Sequence, residues 1–205
     1  MGFWDERVVP QMVRWACAHE NVNRQRAKVV PHAHGRVLEI GMGAGLNVPH
    51  YDPDRVTEVV GIEPSARLRS DASRRAAAAP MPVRVVDAVA ERLPVDDESI
   101  DSAVVTYTLC TIPDVGAALR ELRRVLVPGG TIHFVEHGLA PDERVRRLQR
   151  VLEPGWRRFA GGCHLTRDVA RLLAQHGFAV EELDAMYLPG PRVLNWNRWG
   201  RARSD

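Results

Sequence analysis

Short apolar runs alternate with stretches of helical apolar spacing from residue 36 to near the C-terminus. Residues 36–40, 58–62, 83–86, 100–106, 131–136 and 178–183 read as strands, and a further strand lies within 192–203. Between them the chain predicts a short helix after Leu46 and one capped by Ser65 that runs to about Ala79, where Pro80 stops it. Residues 114–126 carry Val115, Ala118, Leu119, Leu122, Val125 and Leu126 at helical spacing, and the turn Pro128-Gly129-Gly130 follows. A polar helix is expected over 142–152, and another over 167–176, capped by Thr166 and closed by Gly177. Strand–helix alternation of this kind gives an α/β fold, a largely parallel sheet with helices on both faces.

Residues 1–205 form one domain by length, and no repeat, low-complexity run or linker divides them. The segment before the first strand reads as helical, with a stripe of Val8, Val9, Met12, Val13 and Trp15. It packs on the sheet, closes over a ligand as a lid spanning residues 1–34, or lies on a membrane surface.

The net charge of +2 gives no reason to expect nucleic acid as a partner, and Lys28 is the only lysine. No apolar stretch is long enough for an integral membrane segment, and the N-terminus is too polar for a signal peptide. Cys17, Cys110 and Cys163 are odd in number and far apart, which excludes a disulfide framework and a Cys-x-x-Cys pair. A reduced, cytoplasmic protein is the economical expectation, with no metal site. Nothing in the sequence sets an oligomeric state.

The chemistry concentrates at strand ends. Val37-Leu-Glu-Ile-Gly-Met-Gly-Ala-Gly45 is an apolar run that ends in Gly41, Gly43 and Gly45, with Glu39 two residues before the first of them. Glycines there let a turn bring its backbone against a ligand. The dinucleotide pattern Gly-x-Gly-x-x-Gly fails at Leu46, and a phosphate-binding loop fails for want of Gly-Lys-Ser/Thr. Glu63-Pro64 ends the second strand beside this turn, where a carboxylate can accept both hydroxyls of a ribose. Asp87-Ala88 ends the third.

The turn resembles the first motif of class I S-adenosylmethionine-dependent methyltransferases. Three further blocks resemble later motifs of that family in the same order: residues 87–101, Thr106-Tyr-Thr-Leu-Cys-Thr-Ile-Pro-Asp114, and Arg123-Arg-Val-Leu-Val-Pro-Gly-Gly-Thr131. The resemblance implies a Rossmann-like class I methyltransferase fold with a seven-stranded, mostly parallel sheet whose last strand is antiparallel. It implies S-adenosyl-L-methionine as cofactor and S-adenosyl-L-homocysteine as product. Its binding set is Glu39, Gly41, Gly43, Gly45, Asn47, Glu63, Pro64, Asp87, Ala88, Thr106 and Leu109, with Asp87 and Ala88 at the adenine and the 106–114 block passing the methionine and its methyl.

The segments Thr108-Leu-Cys-Thr, Val135-Glu-His137, Val151-Leu-Glu-Pro-Gly-Trp156 and Gly162-Cys-His-Leu-Thr-Arg167 resemble those of the methyltransferase-like thiol S-methyltransferases of animals and close bacterial relatives. The animal proteins carry an N-terminal hydrophobic anchor that is not read here. The implied acceptor is a small molecule, a thiol or hydrosulfide. Methylation at N, O or C of a lipid, quinone or natural-product scaffold is the alternative enzyme reading, and an S-adenosylmethionine-binding regulator without turnover is the non-enzymatic one. His137 and His164 are the candidate general bases, each with a structural role as the alternative. Cys110 is read as a pocket wall, a redox-sensitive thiol or a small core residue. Arg167 pairs with an acidic substrate group or packs at a helix start. Trp156, Tyr187, Trp196 and Trp199 line an acceptor pocket or fill the core.

Overall fold

The computed structural model describes Gln11 and residues 19–204. The apolar stripe expected at Val8–Trp15, and Cys17, lie outside the described residues. The elements are α1 (Glu20–Arg26), β1 (Gly35–Ile40), β2 (Val56–Ile62), α2 (Ala66–Ala76), β3 (Val83–Val86), β4 (Ile100–Thr106), α3 (Val115–Val125), β5 (Leu126–His137), α4 (Glu143–Phe159), α5 (Val169–Gln175), β6 (Phe178–Tyr187) and β7 (Trp196–Ser204). The strands form one sheet in the order β3-β2-β1-β4-β5-β7-β6. β1 to β5 pair in parallel, and β7 runs antiparallel to both β5 and β6. This is the seven-stranded, mostly parallel sheet expected.

Adjacent residues on one strand feed opposite core layers, which is why the central strands read as continuous apolar runs. Leu38, Val60, Val105 and Phe134 pack with Leu119, Leu122 and Leu173 on one face. Val37, Val59, Val104 and Val135 pack with Val29, Val30, Met42 and Tyr51 on the other. Strand order reverses between β1 and β4, so the crevice beyond their carboxyl ends is where a ligand belongs.

Three local expectations are corrected. The helix expected over 142–152 continues to Phe159 through Pro154. β5 begins at Leu126 rather than Thr131, with a register shift between Ile100 and Ser102 of β4 that absorbs the Pro-Gly-Gly turn. Asp168, not Thr166, caps α5 by accepting from the Arg171 amide, because the Thr166 hydroxyl and amide both donate to Glu153 at 2.7 Å. No helix among the described residues is long and apolar enough to cross a membrane.

Candidate active site

The turn after β1 holds Gly41, Gly43 and Gly45 at φ of 65°, 58° and 77°, a region that costs an L side chain about 1–2 kcal/mol. What each glycine faces differs. A Cβ at Gly41 would stand 2.3 Å from Thr108 Cγ2, and one at Gly45 would stand 3.1 Å from Ala72 Cα. At Gly43 the nearest atom is a turn carbonyl at 3.9 Å, so here the backbone opens on the crevice.

Glu63, at the end of β2, accepts from the Gly43 amide at 2.9 Å and from the Ser65 amide at 2.8 Å. Burial pushes its pKa up, and those two amides and Arg69 oppose the rise. Arg69 reaches from α2 to the carbonyls of Glu63 and Pro64 and grips both oxygens of Asp87, at 2.9 and 2.7 Å. It thereby fixes the ends of β2 and β3 relative to each other. Asp87 and Ala88, with Val89, Arg92, Leu93 and Pro94, line an open depression of about 640 Å³. A glycine-rich turn with carboxylates on two adjacent strand ends suits a nucleoside that offers vicinal hydroxyls and an exocyclic amine.

Below the turn lies a buried polar network. Glu39 accepts from Tyr51 Oη at 2.7 Å and from Asn47 Nδ2 at 2.9 Å, and the same Asn47 nitrogen reaches Thr106 Oγ1 at 3.0 Å. Arg26, arriving from α1, donates to Asn47 Oδ1 at 2.8 Å and Thr106 Oγ1 at 2.6 Å. Burial raises the pKa of Glu39 to about 7, against Tyr51, Arg26 and Asn47. The polar atoms of Glu39, Asn47 and Thr106 are thus turned toward one another, and these residues support the turn from beneath. Leu109 is core, nearly without exposure. Arg26, Tyr51 and Arg69 escaped the sequence reading. An arginine in an arginine-rich chain carries no local mark of burial.

The opposite side of the crevice is built on Tyr107, a non-glycine residue at φ of 55°. Its hydroxyl donates to Asn197 at 2.7 Å and its amide to Val135 at 2.8 Å. Glu136 Oε1 then accepts from the amides of Thr108 and Leu109, at 2.6 and 2.9 Å. Burial raises Glu136 to about 7.

His137 is adjacent, with Nε2 3.1 Å from Cys163 Sγ. Burial lowers its pKa, but Cys163 and Glu136 outweigh that and raise it. A hydrogen bond with Cys110 and the charge of His137 hold the Cys163 thiol well below its ordinary value. Cys110, His137 and Cys163 therefore meet, with their ligating atoms within 4.8 Å of one another. The separation that set these cysteines apart in sequence is closed by the fold.

His164 stands elsewhere: its Nδ1 is 3.2 Å from Glu153 on α4, and its amide donates to the Cys110 carbonyl at 2.8 Å. Burial and Arg167 lower its pKa. Arg167 donates to the Leu109 carbonyl, so packing is its observed role. The C-terminal aromatics do not form one group: Tyr187 and Trp196 meet as tilted rings with centroids 4.7 Å apart, whereas Trp199 carries Lys28 Nζ 3.5 Å over its ring. His32 faces His133, with ring centroids 6.4 Å apart.

Residues 38–134 match the family described as Methyltransferase domain. The chain is 32% identical over 168 residues to thiol S-methyltransferase TMT1B of Rattus norvegicus, covering 77% of this chain and 68% of that protein. It is 33% identical over 167 residues to thiol S-methyltransferase TMT1A of Homo sapiens, covering 78% and 65%. The chain thus spans about two thirds of these relatives' length. A SAM-dependent methyltransferase of Thermotoga maritima superposes with a TM-score of 0.70 at 24% identity, over 98% of each chain, and shows the same fold.

Proposed function

The chain belongs to the S-adenosylmethionine-dependent methyltransferases, and on that premise we propose that it methylates a small thiol or hydrosulfide on sulfur. One observation carries the choice of acceptor. The likeness to thiol S-methyltransferases extends over 168 residues, well past the 38–134 span of the methyltransferase domain and so beyond the part that serves any methyl acceptor.

In this reading Gly41, Gly43, Gly45, Glu63, Pro64, Asp87 and Ala88 hold the adenosyl part of the cofactor, with Glu63 on the ribose. Glu39, Asn47, Thr106 and Leu109 fix the walls. When bound, S-adenosylmethionine supplies an electrophilic methyl on a sulfonium, which a thiolate or hydrosulfide takes as the sulfonium C–S bond breaks, leaving the donor as a neutral thioether and the acceptor as a methyl thioether or, from hydrosulfide, methanethiol. The acceptor side needs to align sulfur and exclude water rather than supply a strong base, since an ordinary thiol has a pKa of about 8.5. Opposite charges cancel in that step, which a partly apolar rim favours. Cys110, His137 and Cys163 mark that rim, and His164 holds the Cys163 loop in place through Glu153.

Incubation with labelled S-adenosylmethionine and a panel of thiols, amines and phenols tests the reading. Label is expected in the thiols. Turnover of amines or phenols alone discards the thiol, and cofactor binding with no turnover on any of them identifies a regulator.

A further inference from the structure

Two thiols and an imidazole converge on one point, and each comes from a separately anchored element. Cys110 sits on the loop after β4, which Glu136 holds by two amides. His137 is the last residue of β5. Cys163 lies between α4 and α5, and the next residue is tied by its amide to the Cys110 carbonyl. Both cysteines are buried.

A tetrahedral zinc ion, with Zn–S of about 2.3 Å and Zn–N of about 2.0–2.1 Å, places its ligand atoms roughly 3.6–3.8 Å apart. Here one pair is at 3.1 Å and all three atoms lie within 4.8 Å, so sub-ångström to ångström side-chain shifts would bring them onto one ion. Two soft sulfurs and an imidazole are the donor set that zinc selects.

We propose that Cys110, His137 and Cys163 bind one zinc ion and leave a fourth coordination position to the sulfur of the acceptor. The first half stands on the cluster alone; the second rests on the thiol reading above. Structural zinc sites close with four protein ligands, whereas three ligands and an open place are the pattern of sites that bind substrate. Among the described residues the cluster contains three such side chains. An acceptor thiol entering the open place binds as thiolate, and its proton passes to water. Zinc thereby supplies the deprotonation for which neither histidine is well placed: His137 Nε2 faces Cys163 and His164 Nδ1 faces Glu153.

The test uses the full chain, stripped with a chelator under a phosphine reductant and titrated with cobalt(II), then zinc. The expected result is one cobalt per chain with thiolate-to-metal charge-transfer absorption, displaced by one zinc. Cys110→Ser and Cys163→Ser should weaken zinc binding by on the order of a hundredfold or more, with S-adenosylhomocysteine affinity retained as the check on folding. Adding 2-mercaptoethanol should shift the cobalt spectrum, and ethylene glycol should not. Wild-type protein that binds S-adenosylhomocysteine but holds no stoichiometric metal overturns the site, whatever the variants do. Metal binding with no thiol response overturns the open position. Zinc-loaded protein that methylates only amines or phenols removes the thiol reading and leaves the metal site standing.

Discussion

The backbone amide of Gly43 donates to Glu63 Oε2 across 2.9 Å, so the glycine turn and the acid at the end of the second strand are joined within the protein itself. The acid is thereby preorganised at the crevice, with its other oxygen on Ser65.

Glu63→Ala should weaken S-adenosylhomocysteine binding by about 1.5–3 kcal/mol, the usual range for a hydrogen bond to a charged group. Calorimetry at constant pH reads this directly. Unchanged affinity would place the ribose elsewhere.

Gly41→Ala should abolish cofactor binding, because the new Cβ falls 2.3 Å from Thr108 Cγ2 on top of the strain at φ of 65°. Gly129 shares the strained conformation, at 75°, but a Cβ there would meet no atom of the described residues within 4 Å. Gly129→Ala should therefore lower stability by only about 1–2 kcal/mol and leave binding intact. Equal behaviour of the two variants would contradict the close approach of the turn to the loop after β4.

Arg26→Ala removes the donor shared by Asn47 Oδ1 and Thr106 Oγ1. Stability should fall by about 1–3 kcal/mol, the range for leaving a buried polar group unpaired. Cofactor affinity should fall with it, since Asn47 also braces Glu39 under the turn. Urea denaturation with and without S-adenosylhomocysteine measures both; a variant as stable as wild type would show that α1 is not needed to order the network.

Stability should respond to acid through His133. Burial, with His32, His34, Arg201 and Arg55 nearby, brings its pKa from 6.5 down to about 3. Between those values the unfolded chain binds the proton and the folded one does not. Its contribution is therefore full above 6.5 and lost as pH falls toward 3. Glu39 acts in the opposite sense: with its pKa raised from 4.5 to about 7, the folded state keeps the proton longer, and stability declines as pH rises through that window. His133→Gln should flatten the acid limb and Glu39→Gln the neutral limb of a stability–pH curve. Limbs unchanged in the matching variant would show that other groups set them.

His137→Gln should slow turnover by about a hundredfold, the cost of misaligning the acceptor sulfur with the methyl, while leaving S-adenosylhomocysteine affinity as in wild type. Its Nε2 faces Cys163 rather than the glycine turn, so donor binding does not depend on it. Single-turnover rates compared with calorimetry separate the two effects. A parallel loss of cofactor affinity would mean that the ring supports the donor cleft instead.

The sequence by itself determined the strands β1 to β4, the glycine turn and the acids at residues 63 and 87, because those features are local. An apolar run, a glycine that must take positive φ and a carboxylate at a strand end are each written in a few consecutive residues. Boundaries failed where a tertiary partner overrode a local signal, as when Glu153 drew Thr166 away from the cap of α5. Tertiary structure alone decided that Glu39 lies beneath the turn, held by Tyr51 and Asn47, and that Arg26 and Arg69 brace the crevice. It also decided the meeting of Cys110, His137 and Cys163. β4 and β5 are parallel neighbours, so residues after one strand and at the end of the other arrive at the same edge of the sheet, and the loop between α4 and α5 folds back onto them. Linear spacing is blind to that convergence, because parallel pairing joins residues whose separation is set by whatever crossover lies between them.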